Sequence, residues 1–480
     1  TSISLGYNTS SSETNTVAIG SSVSATAESA IALGRSTKAS GLSATAIGPL
    51  AAASGTTAAA FGFQAKAGGQ DSLAIGNNAN ASGRSSFAGG LNTVASGTGA
   101  LALGDTAKAN SDRTIAIGPS AIANDADSVA VGTRGTTANK GGLAVGVNAN
   151  ATSTYWSNVA LGLDINAKST SGGAVGVGRE SEATGSNSVA MGKKAKATDS
   201  NAVGVGYEAE ATNANTVAMG RKVYATTTGS VALGSNATAS NIGAISIGGY
   251  TGNSANTTAS GDNSVALGVS ATAAGTKSIA VGNEAQANGN DAITIGRGAK
   301  TEDNSVTQSI AIGSNAFVGK GVAQSIAIGS GNLAGEGATV TGDQSIGIGG
   351  NVKVTGHSAI GIGGDDVVKA LNQSVIYTDK SGNLVTTRTL RDAYTTLTGK
   401  SISGYPATTA SHGGVAYGVS AQAGNGGVAI GMAADSSTRT DNANNPLTNA
   451  VAIGMGARAT MDNSIAIGGG TNTDSAATSQ

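Results

Sequence analysis

A five-residue phrase that ends in glycine recurs along the chain and constrains its fold more than any other feature. The phrase has a large apolar residue, a small residue, a large apolar residue and glycine, usually preceded by Ser, Thr or Ala, as in SVALG ending at Gly234. We take this glycine as the anchor of the repeat and number other positions from it. From Gly6, Gly20 and Gly34 up to Gly146 the anchors recur with a constant spacing, and the same spacing returns repeatedly afterwards. A short fixed period of this kind predicts a solenoid.

Two stretches of each repeat alternate with a period of two residues, which predicts two short β-strands per coil. The first stretch carries large apolar residues at −3 and −1 and a small residue at −2. The second tends to carry alanine at +3 and +5, with Lys66, Lys196 or Glu210 between them at +4. Turns rich in Gly, Asn, Ser and Asp separate the stretches. The pattern predicts an all-β parallel β-roll whose narrow interior takes the small residues at −2, +3 and +5, while the +4 residues face water.

The large residues at −3 and −1 have no space inside so thin a coil, so we expect them to form an outward-facing apolar stripe. One gap in the stripe, Gly89, is compensated by Phe87 two residues away on the same face. Monomeric soluble proteins rarely expose continuous apolar patches above a few hundred Å², and each buried Val, Leu or Ile contributes roughly 1.5–3 kcal/mol. We therefore predict obligate self-association; three stripes around an axis would close a triangular core, and two would also be buried. The predicted core between chains is represented by Val17, Ile19, Leu73, Ile75, Val231, Leu233, Val265, Leu267, Ile279 and Val281.

The phrase S-V-A-L-G-x-N-A-x-A, repeated with this period, resembles the head repeat of YadA-like trimeric autotransporter adhesins over nearly the whole chain. The resemblance implies a left-handed parallel β-roll, a homotrimer around a common axis, and an extracellular location on the outer membrane of a Gram-negative bacterium. It also implies a rigid rod-like adhesin head that attaches to host extracellular matrix, cells or other surfaces. We find no coiled-coil stalk, basic neck-like segment, membrane β-barrel or signal peptide in the sequence. We therefore expect an excised head, or a stretch of one, with membrane contact only through the missing anchor region.

Insertions interrupt the period, and loops on a rigid scaffold often carry individual functions. The largest insertion lies between Gly363 and Gly418 and predicts a lobe. VIYT and NLVTT indicate a β-hairpin around a four-residue DKSG turn, and residues 390–397 have helical apolar spacing before Gly399. The expected organisation is β-roll repeats over 1–363, an insertion lobe over 364–414, further β-roll repeats over 415–470 and a polar tail over 471–480. The lobe is either a structural spacer or joint, or a receptor-binding element.

Aromatic side chains in the insertions are the predicted ligand contacts. An exposed aromatic residue can be an interface hot spot, although a lone aromatic also packs under its own loop. The insertion between Gly146 and Gly162 contains the only tryptophan of the chain, and the lobe adds two tyrosines. The possible ligand contacts are therefore Tyr155, Trp156, Tyr377 and Tyr394.

The composition argues against an enzyme, a cofactor and a metal site. The chain has no cysteine and only two histidines, His357 and His412. Each histidine lies in a turn-like context without a carboxylate at ligand spacing. We expect the two to come together only through symmetry copies at an axis. The Gly-x-Gly strings belong to the repeat and precede no helix, so they are not phosphate loops. A net charge of −1 gives no electrostatic footprint for nucleic acid.

Three other repeat architectures compete with an adhesin head. A left-handed β-helix acyltransferase needs six-residue repeats, 18-residue coils and a catalytic histidine. An ice-binding solenoid needs a rank of threonine, whereas the +4 column begins Ser10, Ser24, Lys38. A phage fibre, or another trimeric structural rod, stays open as the alternative function, and the sequence flanking this chain would decide between the two.

Overall fold

The computed structural model describes residues 1–153, 157–164, 166–169, 172–249, 256–333, 335–365, 367–399, 401, 407–438 and 447–473. The chain divides into two compact units, Thr1–Gly229 and Ser230–Gln480. In each unit, a typical coil contributes one strand at positions −3 to −1, called here an A strand, and one at +4 and +5, called a B strand. Both rows pair in parallel and in register, so that Leu73 lies beside Phe87 of the next coil. The predicted fold class, an all-β parallel solenoid of 14-residue repeats, is confirmed.

In the first unit, both rows run from the beginning of the chain. The A strands are Ser2–Tyr7, Thr16–Ser21, Ile31–Arg35, Thr45–Ile47, Ala59–Phe61, Leu73–Ile75, Phe87–Gly89, Leu101–Leu103, Ile115–Ile117, Val129–Thr133, Leu143–Val147, Val159–Leu161, Val175–Val177, Val189–Met191, Val203–Val205 and Val217–Met219. The B strands are Ser10–Ser11, Ser24–Ala25, Lys38–Ala39, Ala52–Ala53, Lys66–Ala67, Asn80–Ala81, Val94–Ala95, Lys108–Ala109, Ile122–Ala123, Thr137–Ala138, Asn150–Ser153, Asn166–Ser169, Glu182–Ala183, Lys196–Ala197, Glu210–Ala211 and Tyr224–Ala225.

In the second unit, the two rows continue on both sides of an inserted lobe. The A strands are Val231–Leu233, Ile245–Ile247, Val265–Leu267, Ile279–Val281, Ile293–Ile295, Ile310–Ile312, Ile326–Ile328, Ile346–Ile348, Ile360–Ile362, Val415–Tyr417, Val428–Ile430, Val451–Ile453 and Ile465–Ile467. The B strands are Thr238–Ala239, Thr258–Ala259, Thr272–Ala273, Gln286–Ala287, Lys300–Thr301, Phe317–Val318, Thr339–Val340, Lys353–Val354, Thr409–Ala410, Gln422–Ala423, Asp435–Ser436, Arg458–Ala459 and Asn472–Thr473. The lobe contains helix α1 (Val367–Leu371), a hairpin of strands Ser374–Thr378 and Leu384–Thr389, and helix α2 (Leu390–Thr398).

Small side chains fill the interior of the coils, as the repeat predicts. Ala74 at −2, Ala79 at +3 and Ala81 at +5 are fully buried, and the equivalent alanines are buried in coil after coil. The +4 residues point away from this core; Lys38, for example, is exposed. Two facing strands only a few residues long leave space for little more than methyl groups, so alanine at three positions per repeat follows from the thinness of the coil.

A fourth interior column, which the sequence analysis did not predict, lies at −4, just before the A strand. Serine or threonine there is buried in most coils. In several coils its hydroxyl donates to the carbonyl oxygen three residues earlier, whereas the Ser72, Ser264 and Ser278 hydroxyls have no hydrogen-bond partner within the described part of the chain. The Ser86 Oγ–Gly83 O and Ser188 Oγ–Gly185 O distances are both 2.7 Å. Where it forms, this bond satisfies a buried hydroxyl that would otherwise destabilise the fold.

The anchor glycine turns the chain away from the A strand in a conformation that other residues avoid. Gly76 has a φ of +131° and Gly192 a φ of +127°. A Cβ atom on Gly76 would also collide with the backbone carbonyl of Gly90 in the next coil. The anchor therefore requires glycine both for its backbone conformation and for the close stacking of the coils.

Two further residues per coil, at +2 and −5, adopt the left-handed conformation with an ordinary side chain. Asn78 at +2 has a φ of +54° and Ser85 at −5 a φ of +53°. Asn and Asp tolerate this region better than most residues, which explains why the turns are rich in polar residues. Stacked copies also bond to each other, as in the 2.9 Å contact from Asn78 Nδ2 to Asn92 Oδ1.

Candidate interaction surfaces

The −3 and −1 side chains of the A strands project outward and remain partly exposed in the single chain. Of the residues predicted for the core between chains, Ile19 and Ile75 are 36% and 43% exposed and the others are half-buried. In-register pairing stacks them into a continuous apolar row within each unit, as where Val265 lies beside Ile279. We call this row of −3 and −1 residues the A face.

The gap in the A face at Gly89 is filled from inside the same chain. A Cβ atom on Gly89 would lie 3.3 Å from Cε2 of Phe87 and 2.7 Å from Cδ2 of Leu103. The Phe87 ring and the Leu103 side chain thus occupy the space that a larger residue would take. The predicted local compensation is confirmed, and the A face keeps an apolar covering at this coil.

The lobe is built from short elements whose limits follow local signals. Its strands pair antiparallel around residues 379–383, a five-residue turn in place of the predicted four. The turn is longer because Asp379 organises it: its N–H donates to Asn383 O at 2.9 Å, and its Oδ1 accepts from Ser381 N at 2.9 Å. Helix α1, before the hairpin, was not predicted.

Helix α2 begins with a capping box and ends at a left-handed glycine. The Thr389 side chain accepts from Asp392 N, while the Asp392 carboxylate accepts from Thr389 N at 3.1 Å. The hydrogen bond from the Thr389 hydroxyl, followed by the one from its backbone amide, lowers the pKa of Asp392 below its ordinary value. Gly399, with a φ of +73°, closes the helix as the sequence predicts.

The lobe packs back onto the coils that follow it. Leu371 is fully buried and Tyr394 is only 4% exposed, and the two form a cluster with apolar residues of the coils. The residues packed against them are Leu390, Val419, Met432, Ala433 and Met455. Tyr394, predicted as a ligand contact, is therefore buried, because its ring fills the space between helix α2 and the solenoid.

A sequence signal for this docking exists at the turn after the anchor. Beneath the lobe, position +1 is apolar in successive coils, at Val419, Met432 and Met455. Position +2 is small there: a Cβ atom on Gly456 would collide with the Tyr394 hydroxyl, and one on Gly470 would lie 2.6 Å from Thr398 Cβ. Apolar +1 and small +2 residues in consecutive coils thus mark the surface on which a helix lies.

The other predicted ligand contacts have different settings. Tyr377 is half-buried on the face of the hairpin that it shares with Val385. Tyr155 and Trp156 lie outside the described residues. The most exposed apolar side chains of the hairpin are Ile376 and Leu384, each 70% exposed. The sequence analysis selected aromatic residues and therefore missed these two aliphatic ones. Their exposure depends on which face of the hairpin packs inward.

Charged residues outside the A face pair along the solenoid. Lys196 Nζ lies 3.3 Å from Glu210 Oε1, one coil later at +4. At +2, Lys194 and Lys222 approach Glu180 and Glu208, each at 3.9 Å. These pairs are exposed and individually contribute little to stability.

The two histidines meet within one chain, contrary to the sequence-based expectation. The rings of His357 and His412 stack with centroids 5.0 Å apart. They are distant in the sequence, but both occupy position −6 of coils that stack directly on each other, since Val354 pairs with Ala410. The expectation was wrong because it did not anticipate that the two coils close up beneath the lobe.

The described residues contain no cluster of three or more His, Asp or Glu side chains placed to hold a metal ion. In the same part of the chain, no helix has both the length and the apolar character needed to cross a membrane.

Comparison with known families agrees with this architecture. A family model described as YadA head domain repeat (2 copies) matches more than half of the chain. The matched residues are 1–22, 25–51, 53–79, 67–93, 95–121, 112–134, 170–195, 183–203, 197–222, 225–251, 259–285, 273–299 and 448–471. No curated protein sequence matches the chain significantly. Between 300 and 447, where the spacing is irregular and the lobe is inserted, the A and B strands nevertheless continue. The chain belongs to the YadA head-domain repeat family.

Proposed function

We propose that the chain is the head of a trimeric autotransporter adhesin, displayed outside a Gram-negative bacterium and attaching it to host matrix, cells or other surfaces. The observation that carries this proposal is the A face, an apolar row that a single chain leaves partly exposed in both units. Membership of the YadA head-domain repeat family supports the trimer and the adhesive role. The fold is typical of structural adhesins, and no catalytic role is proposed.

Self-association would bury the A face. Each fully buried Val, Leu or Ile side chain contributes roughly 1.5–3 kcal/mol, and the row repeats in coil after coil. Val231, Leu233, Val265, Leu267, Ile279 and Val281 are the proposed core residues in the second unit, and Val17, Ile19, Leu73 and Ile75 in the first. Three chains around an axis enclose the row without leaving an apolar edge.

The surfaces that remain outside such an assembly are the proposed sites of attachment. The B strands present mixed polar residues at +4, and the lobe presents Ile376 and Leu384 on its exposed hairpin face. Three copies of each surface give avidity, so that weak individual contacts produce strong attachment. The domain limits of 1–363, 364–414, 415–470 and 471–480 remain our proposed organisation, with the lobe as either spacer or binding element. Within the lobe and tail ranges, the B strands Thr409–Ala410 and Asn472–Thr473 pair with the coils.

Light scattering followed by surface binding tests the two parts of the proposal separately. The full chain has a mass of 45.7 kDa, and we expect a particle of three times that mass. The same sample, applied to immobilised matrix proteins and to cultured epithelial cells, is expected to bind at least one of them. A monomer contradicts the assembly, and a trimer that binds none of these surfaces contradicts the adhesive role.

A hairpin variant separates the two roles of the lobe. Substituting Ile376→Ser and Leu384→Ser changes the exposed face and leaves the packed Tyr394 untouched. If the lobe binds, attachment falls while the mass and the circular dichroism spectrum stay unchanged; if it is a spacer, attachment is also unchanged. Thr386→Ala, on the exposed strand beside Leu384, is the matched control and is expected to bind like the parent.

A further inference from the structure

In several coils, the side chain at position −6 accepts a hydrogen bond from the backbone amide at −6 of the preceding coil, and we call this a cap. Asp112 Oδ1 accepts from Thr98 N at 2.7 Å, and Asp462 Oδ1 accepts from Thr448 N at 2.8 Å. An uncharged amide does the same where Asn290 Oδ1 accepts from Thr276 N at 2.9 Å. The two residues of each pair lie at −6 of consecutive coils. A residue that caps the preceding amide must therefore have a hydrogen-bond acceptor in its side chain.

Beneath the lobe, two imidazole rings take over this capping role. The Asp343 carboxylate accepts from Ala323 N at 2.7 Å, and Asp343 N in turn donates to His357 Nδ1 at 3.0 Å. His357 N then donates to His412 Nδ1 at 3.1 Å. This last bond joins the coil that precedes the lobe to the coil that follows it. We call the boundary between these two coils the seam.

The capping geometry requires both imidazoles to be neutral. An imidazole can accept at Nδ1 only when its proton is on Nε2, and the protonated ring donates from both nitrogens. Protonation of His412 would set an N–H of the ring against the N–H of His357 and remove the bond across the seam. Protonating both rings would also bring two like charges together, because the rings are stacked at 5.0 Å.

The neighbours of the pair along the −6 column are a carboxylate on the preceding coil and an amide on the following one. Asp343, on the preceding coil, turns its carboxylate toward the amide of Ala323. On the following coil, the −6 position holds Asn425, an uncharged amide. The backbone carbonyls of His357 and His412 accept from Gly413 N and Gly426 N, at 2.9 and 2.7 Å. The same geometry disfavours a metal ion at Nε2, because that nitrogen carries the proton.

We propose that His357 and His412 form a pH-sensitive latch across the seam at the base of the lobe. The latch is closed when the rings are neutral and opens when His412 gains a proton. Because His412 accepts at Nδ1 only as the neutral ring, the bond across the seam is present while the ring is neutral and is lost when it is protonated. The caps at Thr98 and Thr448 come from the Asp112 and Asp462 carboxylates and involve no imidazole, so the opening is confined to the seam. Packing of Tyr394 on the following coils keeps the lobe attached.

Hydrogen exchange measured at single amides of the full chain tests the latch. Between pH 7.5 and pH 5.5, the protection factor of the His357 amide is expected to fall about three- to tenfold, the equilibrium worth of one hydrogen bond. The Thr98 amide, capped by Asp112, is the internal control and is expected to keep its protection. An unchanged His357 amide, or an equal fall at Thr98, overturns the proposal.

Two variants of His412 distinguish a titrating cap from a structural one. His412→Asn keeps an acceptor of the kind seen at Asn290 but cannot titrate, so protection at His357 is expected to be independent of pH. His412→Ala removes the acceptor, and protection is expected to be low at both pH values. A fall in the Asn variant equal to that of the parent contradicts the latch. Nitrogen-15 spectra of the only two histidines provide a second readout, because a proton on Nδ1 at pH 7.5 is incompatible with the observed bonds.

Discussion

At the residue scale, Gly361 and Val354 show how neighbouring strands share the interior volume of a coil. Most interior positions hold alanine, but Val352 and Val354 occupy +3 and +5 of one coil and are fully buried. The −2 residues packed against them, Gly347 and Gly361, are glycines and have no side chain. A Cβ atom on Gly361 would lie 2.8 Å from Val354 Cγ2 and 3.1 Å from Val352 Cγ1. The interior thus keeps its volume although the individual residues change.

A double-mutant cycle at these two positions measures the shared volume. Gly361→Ala overfills the coil and Val354→Ala leaves a cavity, so each single change is expected to destabilise the protein by about 1–3 kcal/mol. The double variant is expected to recover at least about 1 kcal/mol relative to the sum, because the new methyl group enters the new cavity. Thermal unfolding of the four proteins gives the cycle, and strictly additive effects would contradict the proposed contact.

The anchor glycine provides a second prediction, with a control in the same unit. Gly192→Ala places a Cβ atom on the Gly206 carbonyl at a φ of +127°, so a cost of at least about 1–3 kcal/mol is expected from the backbone conformation alone. Faster amide exchange in Val203–Val205 reports this loss. Gly99, at −5, has a φ of +67° and open space around its Cβ position. Gly99→Asn is therefore expected to leave exchange unchanged, and equal effects of the two variants would refute the steric explanation.

At the scale of elements, Tyr394 is the largest buried side chain of helix α2. Tyr394 is buried against Met432 and Met455, whereas Leu397 on the same helix is 41% exposed. Tyr394→Ala is expected to remove about 3–5 kcal/mol of packing and to release the lobe, so that trypsin cuts faster after Arg388 and Arg391. Leu397→Ala is the matched control and is expected to leave the cleavage rate close to that of the parent. Equal cleavage of the two variants would mean that Tyr394 does not anchor the lobe.

The same helix shows where reasoning from sequence stops. The limits of α2 are local, set by Thr389, Asp392 and Gly399, and the helix was predicted from its apolar spacing. The interior alanines were likewise predictable. Residues at +3 and +5 lie on one side of a short strand, and the residue between them at +4 lies on the other side. The burial of Tyr394 was not, because it depends on Met432 and Met455, which belong to coils beyond the lobe. The stacking of His357 on His412 was missed for the same reason, since it depends on two coils closing beneath an insertion.

At the scale of the whole molecule, the number of repeated layers decides how much one substitution can change the proposed trimer. Val231→Asp would place an unpaired carboxylate from each chain in one layer of the core, at a cost of several kcal/mol. The A face offers many other layers, each contributing roughly 1.5–3 kcal/mol per buried aliphatic side chain. One charged layer therefore cannot outweigh the others, and the expected result is local opening without dissociation.

A graded series of substitutions tests this additivity. Val231→Asp alone is expected to keep the trimer mass in light scattering while amide exchange accelerates in Val231–Leu233 and Ile245–Ile247. Adding Ile245→Asp, Val265→Asp and Ile279→Asp removes successive layers, and exchange is expected to spread through the A strands until the mass falls. Thr238→Asp, at +4 of the same coil, is a cleaner control than Lys196→Asp, because Lys196 already pairs with Glu210 at 3.3 Å. If Thr238→Asp opens the coil as much as Val231→Asp does, the A face is not the surface that joins the chains.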